Sequence, residues 1–434
     1  MKLPGRLLDA GRRHPTLVHV STLLTGTVLA QLVVLVTTPI IARLYSPSQI
    51  GAFAALMAIP QVIAPVAALR YDMAIVLPDS EAEARRLMRA VLACSGAVSV
   101  LVCLVCAVWR DPIASLLGHP EASDWLWWSG PLVFCTATTT ALGYWMTRRT
   151  RFAPIGRNRV VQAGLVESTR IGMALAGAGA VPGQVLSQVV GQAGASALLA
   201  WTGREAFSPP GTDGRPLRRL FARYRRMPLL NAPNALVDAV RVNGIVVLIG
   251  VYFAADPQGQ FSRAWLLMQA PVALVTGALS QVFYQRFARV ERGSMTRLVI
   301  RSARASLLAG LVPFAVLWLV APVLLPWYLG PGWEESGLIA RALVPWLLLN
   351  VVTSPISTVF VVADRQALML GFAVVYAAVP LALISWFGSS GTSIVVAVHW
   401  VSAAMALLLA GLVALTGAVA RAWDRAPAGE RGPA

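Results

Sequence analysis

Four polar side chains share one face of a single apolar segment of the chain, residues 228–253. Asn231, Asn234, Asp238 and Arg241 are spaced by 3, 4 and 3 positions, which places them within an arc of about 80° on an α-helix. In a helix that crosses a bilayer, each charged side chain near the centre costs at least about 2.5–3.5 kcal/mol and persists where it faces a bundle interior or a wet cavity. The stripe therefore predicts a hydrated surface that binds a polar or charged ligand. The alternative is a structural pair, Asp238 with Arg241.

Further polar residues interrupt other apolar segments, and together they define the predicted site. The predicted substrate-binding residues are Arg241, Arg170, Arg341, Asn231, Asn234, Gln31 and Gln188, and the predicted proton or coupling-ion residues are Asp238, Glu167 and His399. The glutamines also fit hydrogen bonds between helices. Glu167 and Arg170, spaced i, i+3, also fit local neutralisation, and His399 also fits a packed, neutral side chain.

The net charge of this intramembrane set indicates the sign of the ligand. Three arginines stand against two carboxylates, which leaves the set positive. A pump for cationic drugs would need the opposite sign. The planar guanidinium matches the oxygens of a phosphate, so the set favours an anionic cargo that carries phosphate.

The segments that hold these residues belong to a membrane protein. Of the 434 residues, 57% are hydrophobic and 13% are charged, about half the charged fraction of an ordinary soluble protein. The net charge of +17 does not predict nucleic-acid binding, because the arginines form short clusters between apolar runs. Cys103 and Cys106 have the spacing of metal ligands but no second pair and no nearby histidine, so no metal site and no cofactor is predicted.

The apolar runs predict an all-α integral membrane protein with about twelve transmembrane helices, since a helix needs about 20 apolar residues to cross the hydrocarbon. The predicted spans are 20–42, 51–69, 89–109, 125–146, 160–181, 182–202, 228–253, 262–284, 302–325, 336–362, 367–387 and 392–419. The fifth and sixth are separated only by Val181-Pro182-Gly183.

The loop charges give an orientation to these spans. With the N-terminus inside, 30 of the 36 basic residues fall in cytoplasmic segments and 3 in outer ones, which is a strong positive-inside signal. Both termini are therefore predicted to be cytoplasmic. Anionic lipids of the inner leaflet are the predicted partners of the basic segments, because juxtamembrane arginines are attracted to them.

The longest cytoplasmic loop lies midway between six spans and six, which indicates a duplicated chain with a cavity at the interface of its halves. The first span leads into IARLYSPSQIGAF and the seventh into GVYFAADPQGQF, each with Gly-x-Phe after a short outer loop. The predicted domains are a cytoplasmic or interfacial N-terminus (1–19), a six-helix bundle (20–202), a basic cytoplasmic linker (203–227), a second six-helix bundle (228–419) and a cytoplasmic tail (420–434).

Two stretches carry a family resemblance. The stretch PIIARLYSPSQIGAFAALMAIPQVIAPVAALRYDMAIVLPDSEAEA (39–84) resembles the opening of bacterial O-antigen and capsule flippases of the multidrug/oligosaccharidyl-lipid/polysaccharide exporter superfamily. The run from 229 to 253, followed by Gly259-Gln260-Phe261, is similar to the start of that family's second half. Arg43, Tyr45 and Gly51 match the first motif, where a role as anchor and turn residues is favoured over substrate contact.

The resemblance implies a fold and an activity. It implies two bundles forming a V-shaped central cavity, and alternating access that carries undecaprenyl-pyrophosphate-linked oligosaccharide repeat units across the bacterial inner membrane. It also implies coupling to a proton or sodium gradient, no covalent chemistry, and the polysaccharide polymerase machinery as a partner.

Two other functions stay open at this point. One is a cation-coupled drug or metabolite exporter of the same superfamily. The other is a membrane-integral glycan polymerase or ligase, which would be expected to expose a large catalytic loop on the outer side. The longest predicted outer loop, residues 110–124, is too short for such a platform.

Overall fold

The computed structural model describes residues 15–209, 215–288, 293–363 and 365–425. The start of the predicted N-terminal segment, residues 210–214 of the predicted linker, and most of the predicted tail lie outside the described residues.

Within that part of the chain, a long helix lies at each predicted span. The helices are α1 (Pro15–Leu44), α2 (Pro47–Ile63), α3 (Glu81–Val108), α4 (Ser129–Arg148), α5 (Phe152–Leu175), α6 (Ala180–Thr202), α7 (Ala232–Phe253), α8 (Ala255–Ala288), α9 (Met295–Leu329), α10 (Glu334–Ile356), α11 (Gln366–Ser389) and α12 (Ile394–Arg425). Only helices satisfy every backbone polar group of a lone segment in lipid. The prediction of an all-α membrane protein is confirmed. Eight helices of the described chain are long and apolar enough to cross a membrane, so the count of twelve crossings stays a prediction.

The break between α5 and α6 differs from its predicted place. Helix α5 ends at Leu175, and Gly177 adopts a left-handed φ of 73° in the turn that follows. Pro182 lies inside the first turn of α6 instead of in the break. A proline is tolerated there because the first backbone N–H groups of a helix have no intrahelical partner.

The chain divides into two compact units. The first contains the residues up to Tyr45 together with Ala55–Ala239. Inside it α1 packs on α5, α5 on α6, and α4 on both α3 and α6. Small residues permit these contacts: a Cβ at Gly26 of α1 would overlap the backbone of Gly156 of α5. Such small-residue contacts are typical of packed membrane helices.

The basic linker is docked on the first unit. Arg86 of α3 donates from Nη1 to the carbonyl oxygen of Arg215 (2.8 Å), and Glu83 accepts from the backbone N–H of Arg215 (2.8 Å). A short helix, Leu217–Arg223, buries Leu220 in a hydrophobic core that also contains Leu87 of α3 and Trp145 of α4. The described part of this predicted linker is thus held against the N-terminal end of α3.

The second unit contains Ser46–Ala54 and the chain from Val240 onward. Helix α10 is its centre and packs on α8, α9 and α12. Its Trp346 is 1% exposed. At Gly337 a Cβ would lie 2.8 Å from the carbonyl oxygen of Ala321 on α9, so α9 and α10 approach to backbone distance there.

The two segments that carry the Gly-x-Phe repeat contact each other within the second unit. A Cβ at Gly51 of α2 would overlap the carbonyl oxygen of Ala255, and a Cβ at Gly259 of α8 would overlap that of Pro47. Each glycine thus meets the residue four positions before the other glycine. The contact is reciprocal, as it would be about a local two-fold axis.

A strained turn follows α2 in the first unit. Leu69 and Arg70 both have left-handed φ values, 49° and 59°, a conformation that costs a residue with a Cβ roughly 1–2 kcal/mol. The turn leads into Asp72, which is 4% exposed and whose Oδ1 has no hydrogen-bond partner in the described chain. Burial raises the pKa of this carboxyl above its usual range, and the Arg70 guanidinium opposes that rise.

The stability of the first unit should therefore depend on pH through Asp72. A carboxyl whose pKa is raised by folding contributes stability below its unfolded pKa of 3.8 and loses it as the pH rises through the folded value. Asp72→Asn is expected to raise the melting temperature at pH 7, because burial penalises the charged carboxylate more than a neutral amide of the same shape. The gain should shrink as the pH is lowered toward 4.

The measurement is thermal unfolding in detergent from pH 4.5 to 8. Asp79→Asn is the matched control, because Asp79 is exposed in the same loop and should show no such change. A variant Asp72→Asn that melts below the parent protein at pH 7 would contradict this account.

Candidate functional site: the polar stripe of α7

The polar stripe runs from near the start of a candidate span to its middle. A π-helical turn, Met227–Asn231, leads directly into α7, and together they form an apolar span of 27 residues. Asp238 and Arg241 lie on either side of Val240, the midpoint of that span. Pro233 follows the π-helical turn as the second residue of α7.

The stripe faces away from the packing of α7. Asn231, Asn234 and Asp238 are exposed and Arg241 is half-buried, whereas Ala239 and Asn243 are buried. A row of amides and a carboxylate at this depth would be costly against acyl chains. The exposed face of α7 therefore fits a water-lined surface.

Arg241 has an aromatic partner that the sequence did not reveal. Its guanidinium lies 4.9 Å from the centre of the Tyr376 ring, a cation–π distance. The Tyr376 hydroxyl accepts a hydrogen bond from Trp346 Nε1 (2.6 Å). The ring of Trp346 in turn lies 5.2 Å from that of Trp265. Arg241 is thereby held at the edge of an aromatic cluster supplied by α8, α10 and α11.

Arg341 also lies over an aromatic ring. Its guanidinium is 5.7 Å from the centre of the Trp318 ring of α9, and the side chain is half-buried. Each of these two predicted binding arginines thus lies over an indole or phenol face.

Arg170 and Glu167 form a closed pair within the first unit. Arg170 Nη1 and Glu167 Oε2 are 3.5 Å apart, and each residue is 6% exposed. The Tyr45 hydroxyl donates to the carbonyl oxygen of Arg170 (3.1 Å). In this conformation the pair is packed among the helices of the first unit.

The remaining predicted residues are dispersed over separate helices. Gln31 and Gln188 are half-buried on α1 and α6. His399 is exposed on α12, and its Nδ1 lies 2.8 Å from the carbonyl oxygen of Val395. Among the side chains that the structure describes, no group of three His, Cys, Asp or Glu could hold a metal ion.

The residues of the sequence motifs hold helices in place. Gln260 donates from Nε2 to the carbonyl oxygen of Gly332 (2.6 Å) and accepts from the backbone N–H of Ser336 (3.0 Å), at the start of α10. Tyr45 anchors α5 as described above. These contacts are consistent with the anchoring role favoured for the motif residues.

The fold is that of a multi-pass membrane transporter. It is similar to the lipid II flippase MurJ in an inward closed conformation, with a TM-score of 0.75 and 12% identity, covering 91% of this chain and 87% of that one. It is also similar to an inward-facing multidrug resistance MATE family transporter of the MOP superfamily, with a TM-score of 0.62 and 14% identity, covering 92% of this chain and 94% of that one.

The family follows from the sequence itself. The model of the family described as polysaccharide biosynthesis protein matches residues 40–337, and the chain belongs to that family. It is 24% identical over 388 residues to the succinoglycan biosynthesis transport protein ExoT of Rhizobium meliloti (strain 1021), covering 87% of this chain and 75% of that protein. The predicted relationship to polysaccharide flippases of the exporter superfamily is confirmed.

Proposed function

We propose that this protein is a flippase for lipid-linked oligosaccharide repeat units, carried on undecaprenyl pyrophosphate, in the synthesis of a bacterial surface polysaccharide. Its family supports a polysaccharide cargo. The relative named for succinoglycan transport supports a saccharide cargo. The structural relative named as a lipid II flippase supports a cargo that is attached to a lipid. Transport proceeds by alternating access in the inner membrane with both termini cytoplasmic, and it involves no covalent chemistry.

The observation that carries this proposal is the polar stripe of α7, which runs from Asn231 to the half-buried Arg241 near the middle of the span. A pyrophosphate needs positive charge and hydrogen-bond donors, and a guanidinium supplies both. Sugar hydroxyls need amide donors and acceptors, which Asn231 and Asn234 supply. The Tyr376 face beside Arg241 adds an apolar surface of the kind on which the carbon face of a sugar ring packs. Arg341 is proposed as a second cation for the same cargo.

Asp238 is proposed to couple transport to a proton or sodium gradient. It is a carboxylate one helical turn from Arg241, so taking up a cation at Asp238 changes the local charge near the proposed pyrophosphate contact. Glu167 and His399 are proposed to take part in the same coupling, Glu167 through its closed pair with Arg170. Gln31, Gln188 and Arg170 are proposed to contact cargo in another conformation.

The test is translocation in reconstituted vesicles. Purified protein is inserted into liposomes that hold a fluorescent undecaprenyl-pyrophosphate oligosaccharide, and a membrane-impermeant quencher reports the fraction in the outer leaflet. The expected result is exchange between leaflets that accelerates when a proton or sodium gradient is imposed. A cationic dye serves as the competing cargo. Dye transport without oligosaccharide transport would instead identify a drug exporter and overturn the proposal.

A further inference from the structure

A basic groove lies at the N-terminal end of α9, apart from the α7 stripe. It has a volume of about 750 Å³ and is lined by Gly293, Thr296, Arg297, Ile300, Arg301, Arg304, Ala305 and Leu308. The three arginines are all exposed. Their spacing of four and three positions puts them within an arc of about 60° on the helix, so the guanidiniums converge on the same side.

Within the described part of the chain, the groove keeps its positive charge. Among the side chains that the structure describes, Arg297, Arg301 and Arg304 make no ion pair. The nearby carboxylate of Asp424 is already engaged, because it accepts from the backbone N–H groups of Met295 (3.1 Å) and Thr296 (2.9 Å). Asp424 thus caps α9, and the arginine side chains present the positive charge.

The basic face continues into an apolar one. Leu308, Leu311, Val312 and Leu319 follow the arginines along the same side of α9, and they are 69%, 48%, 68% and 67% exposed. From Arg304 to Leu319 the helix rises about 22 Å, more than the roughly 15 Å of one leaflet's hydrocarbon. The face therefore offers cations at headgroup depth and an aliphatic surface long enough for an acyl chain.

We propose that this groove binds an acidic phospholipid of the surrounding membrane, with its phosphate on the three guanidiniums and an acyl chain along the aliphatic face. The positive-inside orientation puts the groove in the cytoplasmic leaflet, where basic pockets meet anionic headgroups. From Ala305 to Leu329, α9 contains no charged or amide side chain. A sugar headgroup therefore has no polar path along this helix, which favours a resident phospholipid over the transported cargo.

The experiment counts bound lipids by native mass spectrometry of the detergent-purified protein. The probes are phosphatidylglycerol and phosphatidylcholine with identical acyl chains. The parent protein is expected to bind one phosphatidylglycerol at least tenfold more tightly than phosphatidylcholine. R297Q/R301Q/R304Q is expected to lose that preference. The matched control is R218Q/R219Q/R225Q, which removes three exposed arginines from the linker. It should keep the preference for one tightly bound lipid, since the general attraction of linker arginines to anionic headgroups does not select a single lipid.

Several results would overturn the proposal. Equal binding of the two lipids, or an unchanged preference in R297Q/R301Q/R304Q, would show that the groove is not an acidic-lipid site. Displacement by millimolar inorganic phosphate would indicate a free-anion site, and tighter binding of undecaprenyl pyrophosphate than of phosphatidylglycerol would indicate a cargo site. If the triple variant does not fold, the three single Arg→Gln variants test the same point, each with an expected two- to fivefold loss. The assay reads binding alone, so its outcome is independent of whether the protein is a flippase.

Discussion

Arg241→Ala is expected to reduce translocation of the lipid-linked oligosaccharide at least tenfold while leaving the protein folded. Arg241 is half-buried near the midpoint of the α7 span and packs on Tyr376. A hydrogen bond to a charged group contributes about 1.5–3 kcal/mol, and an alanine side chain offers the pyrophosphate neither a donor nor a charge. Arg241→Lys should retain part of the rate, because an ammonium keeps the charge but not the bidentate fork.

The measurement is the leaflet exchange rate in vesicles, together with restoration of surface polysaccharide in a strain that lacks the protein. Arg110→Ala is the matched control. Arg110 is an exposed arginine whose Nη1 bonds Asp124 (2.7 Å), a surface pair of small energetic value. A folded Arg241→Ala protein of normal abundance that transports at the parent rate would remove Arg241 from the site.

Tyr376→Phe separates two contributions to the position of Arg241. The ring face that attracts the guanidinium remains, whereas the hydroxyl that accepts from Trp346 Nε1 is absent. Because the cation–π interaction is made by the ring, this variant should transport far better than Arg241→Ala.

The positions of the helices were predictable because the bilayer leaves few alternatives. A long apolar run in lipid must satisfy its own backbone polar groups, and a helix is the only single segment that does so. The helix ends were less predictable, since the break expected at Val181-Pro182-Gly183 lies between Leu175 and Ala180 in the structure. Proline disrupts a helix interior but is accepted in a first turn, and sequence alone does not say which of the two applies to Pro182.

The face of α7 was predictable for a similar reason, since the 3.6-residue period converts spacing into direction. The neighbours of that face were not. Tyr376 and Trp346 lie 135 and 105 positions beyond Arg241, and no spacing rule connects them. The environment of Arg170 was also not predictable, because an i, i+3 pair with Glu167 has the same sequence signature whether it lines a cavity or is packed as a closed pair.

The Gly-x-Phe repeat acquires a physical meaning from the contact between its two copies. A sequence repeat shows only that Gly51 and Gly259 are equivalent. The structure shows that each approaches the backbone four residues before the other, so both positions need a hydrogen in place of a Cβ. Because the contact is reciprocal, a side chain on either glycine would push apart the same two helix ends, those of α2 and α8. This explains why both copies of the repeat have glycine at this position.

Gly259→Ala is therefore expected to be strongly destabilising. The new Cβ would overlap the carbonyl oxygen of Pro47, and a backbone atom moves only with its helix. Overpacking of this kind costs typically 1–3 kcal/mol, which corresponds to a fall in melting temperature of roughly 2–12 °C for a unit of about 200 residues. Gly51→Ala should act in the same direction, because its Cβ would overlap the carbonyl oxygen of Ala255.

The matched control is Gly417→Ala. Gly417 lies inside α12 of the same unit, and a Cβ there meets nothing within 4 Å. Alanine in a helix interior is favoured over glycine by roughly 0.5–1 kcal/mol, so this variant should melt at or above the parent temperature. The quantity to compare is the melting temperature of the three variants, measured by thermal unfolding in one detergent. Equal melting temperatures for Gly259→Ala and Gly417→Ala would mean that α2 and α8 do not meet at backbone distance. In that case the reciprocal contact between the two repeat copies would have to be abandoned.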